Sequence, residues 1–127
     1  ADCNNNLYIL LKNGNLYCGN EIIKDINYLY QMDYLEIFAI TNDKKIICLN
    51  NEKFQEYFSD NQYEKIVTYL FGIVALYKGE VKIALNYEIS SCINFQNFMN
   101  IEDIGVDDDD NEVYVKKNGK WIKLFIN

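Results

Sequence analysis

Leu7–Glu21 reads LYILLKNGNLYCGNE, and Glu36–Glu52 reads EIFAITNDKKIICLNNE. Both place an apolar run, a polar break and a second apolar run ahead of a closing Asn and Glu. Superposing Tyr8 on Phe38 brings Cys18 onto Cys48 and Asn20 onto Asn50, a shift of 30 positions. A looser echo reaches Ala84 and Asn86. In the first segment Asn13-Gly14 is the strongest short signal for a two-residue type I′ hairpin, because both central residues must take positive φ. That turn pairs Lys12 with Asn15, Leu11 with Leu16 and Ile9 with Cys18, giving one wholly apolar face. The second segment flanks Thr41-Asn42-Asp43-Lys44 with Leu35–Ile40 and Lys45–Leu49, turn chemistry that tolerates left-handed residues without glycine.

Working outward, NEVYVKKNGKWIKLFIN at the C-terminus repeats the device around Asn118-Gly119. Lys117 then faces Lys120 and Val115 faces Ile122. Val113, Val115, Ile122 and Leu124 share one face, and Tyr114, Lys116, Trp121, Lys123 and Phe125 share the other. A fourth hairpin is expected around Gly79, between Ile73–Lys78 and Glu80–Tyr87. Val81, Ile83, Leu85 and Tyr87 alternate there with Glu80, Lys82, Ala84 and Asn86, the pattern of a half-buried strand.

The connectors read as helical. Asn61 is a candidate cap for a stripe of Tyr63, Ile66, Val67, Leu70 and Phe71, with Gly72 where such a helix ends. Glu21–Tyr30 carries a similar stripe, Glu52–Phe58 fits a short helix, and Cys92–Met99 a fainter one. The fold class expected is α+β: a single domain over residues 1–127, built of about four β-hairpins in mainly antiparallel sheet with two to four short helices as connectors. Residues 1–6 form a flexible N-terminus and residues 102–111 an acidic loop. A period near thirty residues can mark solenoids or propeller blades. A blade normally has four strands and a longer repeat, and the connectors here differ in length, so repeated hairpin physics in one domain ranks above a true repeat architecture.

The composition supports one folded core. Of 127 residues half are hydrophobic and 24% charged, with seven Phe and eleven Tyr, far from the low-hydrophobicity, high-charge regime of disorder. A chain of this length buries roughly two-thirds of its unfolded surface. It contains no His, Pro or Arg, which removes the commonest general base, the commonest zinc ligand and the side chain best suited to bidentate phosphate binding. An AT-rich coding bias accounts for that usage, but its chemical consequence holds regardless. The net charge of −7 repels nucleic acid and anionic membranes and attracts a basic protein.

No run of about 18 apolar residues suits a transmembrane helix, and ADCNNN is not a signal peptide; Ala1 also fits a mature chain whose signal was removed. The four cysteines, Cys3, Cys18, Cys48 and Cys92, include no C-x-x-C pair of the kind zinc sites draw on. Cys18 and Cys48 end apolar runs and read as small core residues. A reducing cytoplasm is the expected setting, a disulfide-bearing secreted form the alternative.

The conspicuous local feature is EDIGVDDDDNEVY, Glu102–Tyr114. Asp107, Asp109 and Asn111 match the alternating ligands that open an EF-hand loop, but Glu112 stands where glycine is needed and Asn118 where a bidentate glutamate is needed. The segment reads as a solvated charged loop or as a contact for a basic partner. Cysteine or serine nucleophiles lack a histidine base, and no glycine-rich phosphate loop or dinucleotide fingerprint appears. No catalytic residue, metal ligand or cofactor is assigned.

In size, charge and aromatic content the chain resembles the small acidic immunity proteins that accompany bacterial toxins, or virus-encoded inhibitors of host defence. The resemblance implies a non-enzymatic inhibitor that masks a basic surface of a toxin, nuclease or defence protein. The partner-binding residues expected are Asp107, Asp108, Asp109, Asp110 and Glu112, with Tyr114 and Trp121 as aromatic anchors. Two alternatives stand beside it: an assembly domain that self-associates through exposed hairpins, and a small hydrolase using paired carboxylates, which predicts an acid of raised pKa.

Overall fold

The computed structural model describes residues 7–32, 36–59, 62–86, 93–107 and 109–124. Residues 1–6, the helix cap expected at Asn61, Cys92, Asp108 and Phe125 lie outside them. Among the described residues the chain is mainly β: 13 antiparallel strands in four small sheets, with one short helix. It divides into two compact units, Ala1–Gln62 and Tyr63–Asn127.

In the first unit, β1 (Tyr8–Leu10), β2 (Leu16–Cys18) and β3 (Glu21–Ile23) form one sheet in that order. The type I′ turn expected at Asn13-Gly14 does not form. The Leu11 N–H donates to the Asn15 carbonyl (2.9 Å), the Gly14 N–H donates to the Leu11 carbonyl (3.0 Å), and positive φ falls on Gly14 at +90°. This is a three-residue loop, and it moves the pairing by one: Leu10 faces Leu16, Ile9 faces Tyr17 and Tyr8 faces Cys18. A one-residue slip exchanges the faces of a strand. Leu16 and Cys18 therefore point into the core with Tyr8 and Leu10, while Leu7, Ile9, Leu11 and Tyr17 are exposed.

The second sheet consists of β4 (Ile26–Met32), β5 (Glu36–Thr41) and β6 (Ile46–Cys48). Its β5–β6 turn reproduces the first: the Thr41 N–H donates to the Lys45 carbonyl (3.0 Å), the Lys44 N–H to the Thr41 carbonyl (3.1 Å), and Lys44 takes φ +63°. Ile40 faces Ile46, Ala39 faces Ile47 and Phe38 faces Cys48, each pair thirty residues on from its counterpart. The internal repeat is thus one of backbone geometry as well as of letters. Where the first copy has glycine in the left-handed position, the second has lysine, and the Thr41 hydroxyl supports the loop by accepting from the Lys45 N–H (2.8 Å) and donating to the Asp43 carboxylate.

The two sheets share a core. Leu16 and Cys18 pack with Ile26, Ala39 and Leu49, bordered by Tyr8, Leu10, Ile23, Leu29, Ile37 and Ile47. The opposite face of the second sheet carries an aromatic cluster in which Phe38 meets Tyr30, Phe54 and Phe58 at ring-centroid separations of 6.0, 5.2 and 6.4 Å. Phe54 belongs to α1 (Glu52–Tyr57), the one expected helix that forms. Its cap is Asn51, whose side-chain oxygen accepts from the Lys53 N–H (3.0 Å) and Phe54 N–H (3.4 Å). Asn51→Ala removes both and is expected to lower stability by about 1 kcal/mol, read as a fall in the urea midpoint with an unchanged slope. An unaltered midpoint refutes that role for the cap.

In the second unit, β7 (Lys65–Tyr69), β8 (Gly72–Tyr77), β9 (Glu80–Asn86) and β10 (Ile93–Phe98) form a sheet in the order β10-β9-β8-β7. The other sheet consists of β11 (Asp103–Asp107), β12 (Glu112–Lys117) and β13 (Lys120–Leu124). Here the two-residue turn expected at Asn118-Gly119 does form, with φ +52° and +76°, while the hairpin expected around Gly79 turns through two residues, Lys78 leaving the strand to take φ +48° beside Gly79 at +79°. Tyr77 faces Glu80 and Lys117 faces Lys120. Val74, Leu76, Val81, Ile83 and Leu85 from one sheet pack with Ile104, Val113 and Val115 from the other. Ala84, expected on a solvent face, is fully buried.

The same joint links the sheets within each unit. Asp25 and Asn100 both take φ +63°, and the next N–H in each case donates 2.9 Å to a glycine carbonyl at a hairpin tip: Ile26 to Gly14, Ile101 to Gly79.

Three expected helices are strands instead. Glu21–Tyr30 divides into β3 and β4 around Asp25, Tyr63–Phe71 contains β7, and Ile93–Phe98 is β10. Their stripes are rich in Ile, Val, Tyr and Phe, whose stiff or bulky side chains suit a pleated surface. Gly72, expected to end a helix, opens β8. The architecture is therefore mainly β rather than α+β.

Candidate functional site

The expected acidic loop is largely strand. Ile104 is buried and Val106 half-buried, alternating with Asp103, Gly105 and Asp107 along β11, a half-buried pattern that outweighs the local charge. The loop proper shrinks to a turn closed by Asn111 at φ +53°. In the register of the sheet, Gly105 faces Tyr114 and Tyr114 faces Lys123, while Asp103 and Trp121 both face Lys116. These side chains share one face, and Ile104, Val106, Val113, Val115, Ile122 and Leu124 share the other. That division is the one read from the C-terminal hairpin.

Gly105, Val106, Asp107, Asp109, Tyr114 and Trp121 line an open cleft of about 660 Å³. Gly105 supplies the floor: a Cβ there stands 3.7 and 3.8 Å from the rim carbons of the Trp121 ring, so the indole lies across the glycine. One face of Trp121 is spent on that contact, and the residue remains 51% exposed. Four of the seven expected contact residues, Asp107, Asp109, Tyr114 and Trp121, thus meet in one place.

The carboxylates differ in what holds them. Asp107 and Glu112 are directly opposed across β11 and β12, and like charges in that relation destabilise a ladder. Lys123 relieves one of them, its Nζ lying 3.2 Å from Glu112 Oε1. Asp107 accepts the Asp109 N–H at 3.0 Å. Among the described residues no lysine forms an ion pair with Asp107, Asp109 or Asp110, and Asp110 stands exposed on the turn beside the cleft. Glu102 and Asp103 serve the fold: Glu102 accepts the Gly119 N–H at 3.1 Å, and Lys65 donates to Asp103 at 3.0 Å. That hydrogen bond holds the Asp103 carboxyl below its ordinary value.

Gly105 and Val106 are the cleft residues that sequence reasoning missed. The alternation of Asp103, Ile104, Gly105, Val106 and Asp107 was the available signal, obscured by the aspartates that follow it.

Among the described residues no three His, Cys, Asp or Glu side chains group as a metal site. Cys48 is a buried free thiol, its pKa pushed up to about 11 by burial. Cys18, expected as a small core residue, is buried and also disulfide-bonded. No helix among the described residues is long and apolar enough to cross a membrane.

No protein-family model, curated protein or solved structure matches this chain.

Proposed function

We propose that this is a non-enzymatic acidic binding protein, of the inhibitor or immunity kind, whose β11–β13 cleft takes a lysine or arginine side chain from the basic surface of a protein partner. The opposed Asp107 and Glu112 carry the reading. Two carboxylates held face to face, of which Lys123 pairs with Glu112, leave negative charge at Asp107 that an incoming cation relieves. Trp121 and Tyr114 line the same space, and aromatic faces attract cations. Around the cleft, Asp109 and Asp110 add to the field that steers a basic partner toward it.

Of the two cellular settings, the bonded Cys18 favours the secreted one over the cytoplasm, because disulfides persist where reducing thiols are scarce.

Trp121 is the single tryptophan of the chain, so its fluorescence reports this cleft. Titration with an oligo-arginine peptide is expected to change the emission saturably, with affinity falling as salt rises from about 50 to 500 mM. The double variant D107N/D109N is expected to weaken binding about three- to tenfold. Emission indifferent to the peptide, or equal binding by the variant, rejects the proposal.

A further inference from the structure

The first sheet is apolar on both sides. Its inner face packs in the core of the first unit, but the outer face carries Ile9, Tyr17 and Ile22, which are register partners across β1, β2 and β3. They are 46%, 38% and 54% exposed, and Leu7 and Leu11, on the same side of the β1 segment, are 65% and 42% exposed. Together these side chains present on the order of 500 Å² of surface, the size at which an apolar patch on a monomer marks an interaction site.

The repeat shows what such a face is built to meet. Thirty residues on, Leu7, Ile9 and Tyr17 correspond to Ile37, Ala39 and Ile47, and these lie against the first sheet in the shared core. The covered face of the second sheet and the bare face of the first are thus equivalent positions of one repeating hairpin, and the covering element is a three-stranded sheet of this same chain.

We propose that the outer face of β1–β3 is a self-association surface, covered by the same face of a second copy about a two-fold axis. A face that meets itself is the usual way a soluble protein closes a dimer. Two such faces bury about 1,000 Å², the lower bound of a specific interface, so the dimer is weak and forms in the micromolar range. The net charge of −7 on each copy opposes it at low salt. Added salt screens that repulsion and leaves apolar burial intact, so association strengthens with ionic strength, opposite to the salt dependence expected of the acidic cleft. The inference is independent of the proposed function.

The test is sedimentation velocity of the full chain at about 1–200 µM in about 0.05 and 0.5 M salt. The wild type is expected to pass from monomer to dimer, more readily at the higher salt. I9T/I22T keeps β-branched residues at two exposed positions and is expected to raise the dissociation constant about tenfold or more. If circular dichroism shows that variant unfolded, Tyr17→Lys, a single change that places like charges across the two-fold axis, takes its place with the same expected loss. A wild type that stays monomeric over the whole range overturns the inference and means that the face is covered by other means. A dimer that the folded variant leaves unchanged overturns it equally.

Discussion

Gly72→Ala is expected to destabilise the second unit by about 3 kcal/mol or more, the upper range for overpacking a filled core. Glycine is ordinarily a poor strand residue, and replacing it by alanine at a strand start normally helps. Here a Cβ falls inside contact distance of the Ala84 carbonyl oxygen and 2.7 Å from Leu85 Cδ2. Neither can yield cheaply. The Ala84 carbonyl is backbone in β9, next to the register partner of Gly72, and Leu85 is fully buried. Making room means separating β8 from β9, the two strands that supply most of the buried aliphatic residues of this unit. Trp121 lies in the same unit, so urea unfolding followed by its fluorescence reads the effect directly. A midpoint equal to or above that of the wild type contradicts the close approach on which the pairing rests.

Phe38→Ala is expected to cost about 3–5 kcal/mol in the first unit. Phe38 is fully buried, and its ring meets Phe54 edge-on at 5.2 Å and Phe58 at 6.4 Å. Truncation therefore removes the ring that joins the second sheet to α1, a helix of six residues. Helices this short are not stable without packing. The surrounding aromatics are too rigid to fill the space. With a total stability on the order of 5–15 kcal/mol for a domain, the first unit should lose much of its cooperative transition. Hydrogen exchange distinguishes this from a local effect: amides of β5, β6 and α1 should lose protection together. Protection lost in α1 alone would show that the ring anchors only the helix.

The candidate site was legible in residues and illegible in shape. Asp107, Asp109, Tyr114 and Trp121 could be singled out because charge density and aromatic alternation are written in the chain. Glu112 was also singled out, but Lys123 holds it in an ion pair, a relation visible only when β12 and β13 are paired. Gly105 escaped notice because its role is to have no side chain beneath an indole sixteen positions away. The helical stripes misled for a related reason. Over ten residues, Ile, Val and Tyr at three- and four-residue steps fit either period, and whether neighbouring strands stand ready to pair decides between them.

By itself the sequence determined where the chain turns, which hairpins repeat and how the C-terminal hairpin divides its faces, because Asn-Gly chemistry and two-residue alternation act over a few bonds. Tertiary structure alone decided that the Gly14 loop has three residues rather than two, that most connectors are strands, and that an acidic run borders an aromatic cleft. A slip of one residue or a choice of period changes little locally. It changes which side chains are buried, and burial is a property of the assembled sheets.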